Sequence, residues 1–201
     1  MTGIQEKSIS IRITYLIRNF LSKPLFSALK GDLGTVLDIG GGSFYKSLNE
    51  SNWDKYIVFE PDINYLPSSN ISRVHSISGD GMSPPFKNKT FDTVLIIQVL
   101  QFIFEPNIFI QKIGNLLKDN GKIIIQVPQS GNLHGVPHHY YNFTKFWLHK
   151  VLDENNFQVI NHYYLGGAWR TIASRVFLMF WPVFGHKYYF DPELGKRGIK
   201  F

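Results

Sequence analysis

Apolar residues fall along this chain in two rhythms. From 9 to 30 they recur at three- and four-residue steps (Ile9, Ile13, Leu16, Ile17, Phe20), with Arg12 and Arg18 interleaved. That spacing predicts one or two amphipathic helices, with Pro24 setting off a second short segment, Leu25 to Leu29. Beyond residue 30 the apolar residues gather into short runs bounded by turn formers. Thr35–Ile39, Tyr56–Glu60, Val74–Ser78, Asp92–Gln98, Lys122–Val127 and Phe157–Leu165 read as six strands. A run without polar alternation, such as Asp92–Gln98, suits a sheet covered on both faces. Between the strands, Phe44–Asn49 begins a weak helix and Asn107–Leu117 has helical spacing after Pro106. Asp119, Asn120 and Gly121 make a turn, and Thr144–Asn155 reads as a helix with Thr144 as its N-cap. The breaker-rich stretch 84–89 is a loop. Strands separated by helical stretches predict an α/β fold: a mostly parallel sheet with helices on both faces, and no convincing seventh strand after the sixth. Three segments follow from this pattern: helical residues 1–30, an α/β domain over 31–168, and a C-terminal extension over 169–201.

Composition narrows the class. At 201 residues and 44% hydrophobic, the chain can bury one sizeable core and is not a disordered sequence. It has no cysteine, so disulfides and thiolate metal sites are excluded. The first ten residues lack the apolar run of a secretory signal, and a cytoplasmic location is expected. The net charge of +6 sits at the ends: residues 1–30 and 166–201 carry +4 each, which leaves −2 for the middle. A nucleic-acid enzyme would show its basic face around the site, so this distribution argues against a nucleic-acid partner. Basic ends mixed with aromatic and aliphatic residues suit an anionic membrane surface or a lipid-linked substrate instead.

Candidate chemistry gathers at strand ends. Val36, Leu37, Asp38 and Ile39 run into Gly40, Gly41 and Gly42, a strand ending in a turn whose backbone can approach a ligand closely. Glu60 closes the next strand, and Asp80 with Gly81 follows the one after. In an open parallel sheet the ligand lies beyond the carboxyl ends of the strands. There Glu60 can accept hydrogen bonds from both hydroxyls of a ribose, Asp80 from an adenine amine, and Met82 can lie against the adenine face. Asp38 would orient the loop backbone. Singly, Asp38 or Glu60 could be a plain strand-end turn former; the spacing of three acids together points to a nucleoside site.

These segments resemble the successive motifs of class I S-adenosylmethionine-dependent methyltransferases. Val36–Gly42, Tyr56–Asp62, Gly79–Met82, Phe91–Ile103 and Leu116–Pro128 are similar to them in order, over about 34–165. The resemblance implies a Rossmann-like domain and S-adenosylmethionine as cofactor. It also implies donor contacts from Asp38, Gly40, Gly41, Gly42, Glu60, Pro61, Asp80, Gly81, Met82 and Gln98. His134 to Thr144 further resembles a block, His-Gly-x-Pro-x-Asp-Tyr-x-Arg-Phe-Thr, of a type 11-like subgroup associated with surface-glycan and lipid-linked sugar pathways, hence polysaccharide biosynthesis. This chain departs from the patterns in four places. Ser43 and Phe44 stand where the first motif has its third glycine. His139 replaces Asp, Asn142 replaces Arg, and Gln101 with Phe102 replaces a frequent Glu-His pair.

The sulfonium methyl of such a donor is already electrophilic, so the protein mainly aligns an attacking atom. For a hydroxyl acceptor a histidine base is apt, and His138 and His139 are the catalytic candidates. The alternative is that they only brace the Phe143–Thr144 turn. His134, Tyr140, Tyr141 and Asn142 are expected to line the acceptor side. No carboxylate accompanies the histidines, so no metal is expected. The run 176–184 is nearly unbroken in apolar character and flanked by Arg170, Arg175 and Lys187, yet too short to span a bilayer. Residues 170–187 therefore either pack as core or make peripheral contact with the inner face of the membrane. The expected activity is transfer of a methyl group, to oxygen first, on a small or lipid-linked acceptor; the oligomeric state stays open. A nicotinamide dehydrogenase is disfavoured because Tyr45 stands where Gly-x-Gly-x-x-Gly needs its last glycine. The non-enzymatic alternative is a degenerate methyltransferase fold serving as an interaction or membrane-docking module.

Overall fold

The computed structural model describes residues 23–131, 135, 137–165, 167, 171–172 and 176. Of these, 29–160 form one compact unit, and those before 29 or after 160 belong to another. In the latter, residues 23–28 are helical, in keeping with the short segment expected around Pro24. The helix expected over 9–22 and most of the apolar tail lie outside the described residues.

The unit 29–160 is built on five strands: β1 (Thr35–Ile39), β2 (Lys55–Glu60), β3 (Val74–Ser78), β4 (Phe91–Ile97) and β5 (Leu117–Gln126). They pair in the order β3-β2-β1-β4-β5, all parallel. The order reverses at β1, so the carboxyl ends of β1 and β4 flank the crevice where such sheets bind ligands. The central strands are the most apolar because both their faces are covered, and β3, at an edge, is mostly exposed.

Side-chain alternation sorts the core into two faces. Leu37, Ile39, Ile57, Phe59, Val94 and Ile96 meet Phe109, Ile110, Ile113 and Leu116 of α1 (Pro106–Leu116) and Val151 and Leu152 of α2 (Lys145–Glu154). Each such fully buried side chain contributes about 1.5–3 kcal/mol relative to exposure. Pro106 opens α1, where its missing N–H costs nothing. Thr144 caps α2 as expected, its Oγ1 accepting from the Trp147 N–H at 3.2 Å. On the other face lie Val36, Asp38, Tyr56, Val58 and Leu95, all buried, and Tyr45 and Trp53 pack their rings on Tyr56.

Three local expectations change. After β1 the weak helix is two 3-10 turns, Phe44–Ser47 and Glu50–Asn52, too short to form an α-helical turn sequence. The turn at 119–121 is an interruption inside β5: pairing jumps from Phe91↔Leu117 to Thr93↔Lys122, and Asn120 adopts a φ of 63°. The sixth strand, Phe157–Leu165, is corrected: 157–165 carry no strand. Instead the Phe157 N–H closes α2 on the Leu152 carbonyl at 2.9 Å, and its ring packs over Gly114 of α1. Residues 158–164 are exposed, and among the described residues no partner strand meets the alternation, which alone could not guarantee one.

Candidate functional site at the carboxyl edge of the sheet

β1 ends in a turn tied to its neighbours. The Gly40 N–H donates to the Phe59 carbonyl at 2.9 Å, fixing the turn to the end of β2. Gly40 has φ +67°, and a Cβ there would lie 2.6 Å from Val99 Cγ2, so only glycine lets the turn approach the segment after β4. Gly42, at φ +51°, faces the backbone near Tyr65. Register places Glu60 one residue past the Ile39↔Phe59 pair, beside Gly40, and opposite Ser78 of β3. The Gly79 N–H in turn donates to the Glu60 carbonyl at 3.2 Å. Asp80 follows, its Oδ1 accepting from the Met82 N–H at 2.8 Å, an Asx turn that fixes the direction of the loop. Gly81 comes back over β1, 3.9 Å from Ile39 at its Cβ position. Pro61 is exposed and accepts from the Ser78 hydroxyl at 3.2 Å. Asp38, the glycine turn, Glu60, Pro61 and 79–82 therefore share one edge of the sheet. Gln98 joins them as the first residue past β4, held at φ 58°.

Within this group the acids differ. Glu60 is half-buried, and burial raises its carboxyl above the usual range while the Asp62 backbone N–H works against the rise. Asp38 is fully buried on the Tyr56 face. The Tyr56 hydroxyl donates to Asp38 Oδ2 at 2.6 Å, and Oδ1 has no partner. Burial pushes Asp38 up to about 7, with the Tyr56 hydrogen bond opposing and the Glu60 charge adding to the rise. Met82 packs partly against the core, and its carbonyl accepts from Lys112 Nζ at 2.7 Å.

The histidine block seats on the segment after β4. Both Tyr140 and Tyr141 donate their backbone N–H to the Gln101 carbonyl, at 2.8 and 3.4 Å. The Tyr141 hydroxyl donates to the Phe104 carbonyl at 2.9 Å. His138 is exposed, with Nδ1 3.1 Å from the Tyr140 hydroxyl. His139 sets its ring edge-on to Phe102, centroids 5.8 Å apart. Asn142 clips the loop itself: its Oδ1 accepts from the Gly131 N–H at 2.9 Å. His134 lies outside the described residues. Among the described residues no three His, Asp or Glu side chains gather as a metal-ligand set.

Two residues to which the sequence assigned no role at the site matter here. Tyr56 anchors Asp38; the signal was a hydroxyl opening the apolar run 56–59, which must find a partner when buried. Gln101 is fully buried and donates from Nε2 to the Gln98 carbonyl at 2.9 Å, bracing the left-handed residue above it. At the opposite, amino edge lies an open cleft of about 390 Å³ between Asp32, Asp92, Lys118 and Lys122. Its lysines are engaged, Lys118 by Asp92 and Lys122 by the Asp32 carbonyl, and none of the predicted site residues lines it.

The geometry has relatives. A family model described as a methyltransferase domain matches residues 12–164. An uncharacterized protein of Methanocaldococcus jannaschii is 29% identical over 159 residues, 79% of this chain and 64% of the relative. The chain thus spans less than two thirds of the length of that curated relative. Among solved structures, a candidate methyltransferase from Bacillus halodurans C-125 superposes with a TM-score of 0.59 at 20% identity, covering 70% of each chain. A SAM-dependent methyltransferase from Aquifex aeolicus gives 0.54 at 15%, covering 70% of this chain and 81% of its own. The cyclase SpnF gives 0.54 at 19%, covering 73% and 58%. At these identities the likeness is one of fold.

Proposed function

The chain belongs to the family of methyltransferase domains, whose cofactor is S-adenosylmethionine, and from that membership we propose that it methylates a small or lipid-linked acceptor, first at oxygen. The observation that carries the proposal is the meeting of the glycine turn, Glu60, 79–82 and Gln98 on one edge of the sheet. The residues present suit the donor. The turn leaves backbone bare where a nucleoside would lie, and Glu60 offers two acceptors to vicinal hydroxyls. The 80–82 loop offers a carboxylate and an apolar side chain to a base. When bound, the donor supplies an electrophilic methyl on a sulfonium, so the chain's own task is alignment and exclusion of water.

On the acceptor side, His138 is the stronger base candidate, being exposed and held through Tyr140. Tyr140 and Tyr141 are walls for the acceptor. Asn142, clipped to Gly131, acts by shaping the loop. The glycan association of the subgroup, a cytoplasmic location and peripheral membrane contact through 170–187 complete the proposal. No helix among the described residues is long and apolar enough to cross a membrane. A second reading, a docking module without turnover, rests on the departures from the family's patterns at Phe44, His139 and Asn142.

Calorimetry with S-adenosylmethionine tests the donor half, with NAD as the control. Transfer of labelled methyl into lipid and glycan extracts tests the acceptor half. Nicotinamide binding without donor binding overturns the proposal, and donor binding without transfer to any extract favours the docking module.

A further inference from the structure

Tyr56 has no part in the donor contacts above, yet the glycine turn rests on it. Its hydroxyl and the Asp38 carboxyl meet inside the sheet, both residues at 0% exposure. The carboxyl fills the space where a Gly41 side chain would begin, so it touches the turn from beneath. One oxygen is satisfied by Tyr56 and the other is bare. An ionised carboxyl in that setting is costly unless a further positive charge or donor comes near.

The charged and titratable surroundings of Asp38 are few. β2 contributes Tyr56 and, at its end, Glu60, whose charge opposes ionisation of Asp38. The 3-10 turn at 44–47 contributes Tyr45, its ring 5.9 Å from that of Tyr56. β4 presents Leu95 in register with Asp38 and carries Thr93 nearby, both uncharged. Among the described residues no cation pairs with Asp38, Lys46 and Arg73 standing instead over the rings of Tyr45 and Trp53, so the balance between the two forms is open to whatever binds above the turn. The donor is a cation at sulfur, whereas the product left after methyl transfer has a neutral sulfur. A cation over the turn favours the ionised carboxyl beneath it, since the intervening medium is protein and not water.

We propose that Tyr56 is a positioning residue that holds Asp38 as a proton-linked anionic seat beneath the glycine turn, so that the charged donor is preferred over its neutral-sulfur product. The proposal rests on the donor reading of the site. Binding of the donor drives a proton from Asp38 to solvent. Loss of the positive charge at sulfur removes that drive, the carboxyl regains its proton, and product departs more readily. Tyr56 favours the ionised form because its O–H is, among the described residues, the donor that Asp38 has.

Titration calorimetry decides the matter, with S-adenosylmethionine and S-adenosylhomocysteine measured from pH 6 to 9 in buffers of different ionisation enthalpy. The unaltered chain should release roughly half a proton per S-adenosylmethionine near pH 7 and less per S-adenosylhomocysteine, its preference for the donor rising several-fold between pH 6 and 8. Tyr56→Phe should move that rise upward by about one pH unit, weakening donor binding several-fold at pH 7 while leaving it within about twofold at pH 9. Asp38→Asn, which can still accept from Tyr56, should show no pH-dependent preference; Glu60 is present in both chains, so their difference isolates Asp38. Equal weakening by Tyr56→Phe at every pH means a structural brace and overturns the proposal. So does an Asp38→Asn chain that keeps the pH-dependent preference, which also decides the case if Tyr56→Phe does not fold. Donor binding with a pH-independent preference removes the seat alone. No donor binding by the unaltered chain at any pH removes the donor reading with it.

Discussion

The Asp38 carboxyl occupies the space that a side chain at Gly41 would need. The penultimate residue of β1 and the middle residue of the glycine turn therefore fit as a pair, one filling what the other leaves empty. An acid with a glycine three places later is a packing requirement here as much as a ligand motif.

Gly41→Ala should consequently destabilise the domain, because its methyl must displace a carboxyl that Tyr56 holds and the sheet surrounds. Overpacking of this kind costs about 1–3 kcal/mol. Urea denaturation measures it, and donor affinity should fall alongside as the turn shifts. Stability equal to the unaltered chain would mean that Asp38 has another place to go.

Asp38 also sets a pH dependence of stability. Its folded value, pushed up to about 7, lies above its unfolded value near 3.8, so the proton is bound more tightly in the folded state. The stability this lends is whole below about pH 3.8 and is lost as pH rises to about 7. Asp38→Asn removes the penalty. Relative to the unaltered chain the variant should gain stability between pH 4 and 8, by an amount on the order of 2–4 kcal/mol. Melting curves of both chains at pH 4, 6 and 8 give the comparison; a constant gap across that range would refute the linkage.

Glu60→Ala should weaken S-adenosylmethionine binding by about 1.5–3 kcal/mol, the scale of hydrogen bonds to a charged group. Glu60 is half-buried at the end of β2, so its loss should trouble the fold little. Unchanged affinity by calorimetry would remove the ribose from this position.

His138→Gln separates base from brace. As a general base it should cost about a hundredfold or more in labelled methyl transfer to an active extract. Melting temperature should hold, since the ring is exposed and its hydrogen bond is to Tyr140, which is also exposed. Retained transfer would leave alignment alone to the chain.

The five strands were legible because each is a short apolar run ended by a turn former, and burial on two faces writes that pattern locally. The triple glycine, Glu60 and the Asp80 loop were legible for the same reason: strand ends are where their residue types stand out. What depends on a partner elsewhere was not. Phe157–Leu165 has a strand's alternation, but no neighbouring strand pairs with it among the described residues, and Phe157 is drawn to Gly114. Tyr56 and Asp38 are eighteen residues apart and meet only through the register of β1 on β2. The clip from the Gly131 N–H to the Asn142 amide oxygen likewise joins residues eleven apart and was not legible in the sequence.

Asp92 offers the opposite sign to Asp38, on the opposite edge. It accepts from the Thr35 N–H at 2.9 Å and from Lys118 Nζ at 2.7 Å, joining the starts of β1, β4 and β5. Burial is the largest single influence and raises its carboxyl, but the Lys118 and Thr35 hydrogen bonds and the Lys118 charge together outweigh it and hold the group below the usual range. With the folded value lowered, its stabilisation is present above the unfolded value near 3.8 and lost as pH falls through the folded one. The Asp92 side chain is 39% exposed and Lys118 44%, so solvent screens the pair and the worth is about 1 kcal/mol or less. Asp92→Asn should therefore lower stability modestly at pH 7 and not at all at pH 2, with the pH 7 loss shrinking in high salt. A loss that persists at pH 2 would assign the effect to the Thr35 hydrogen bond and not to charge.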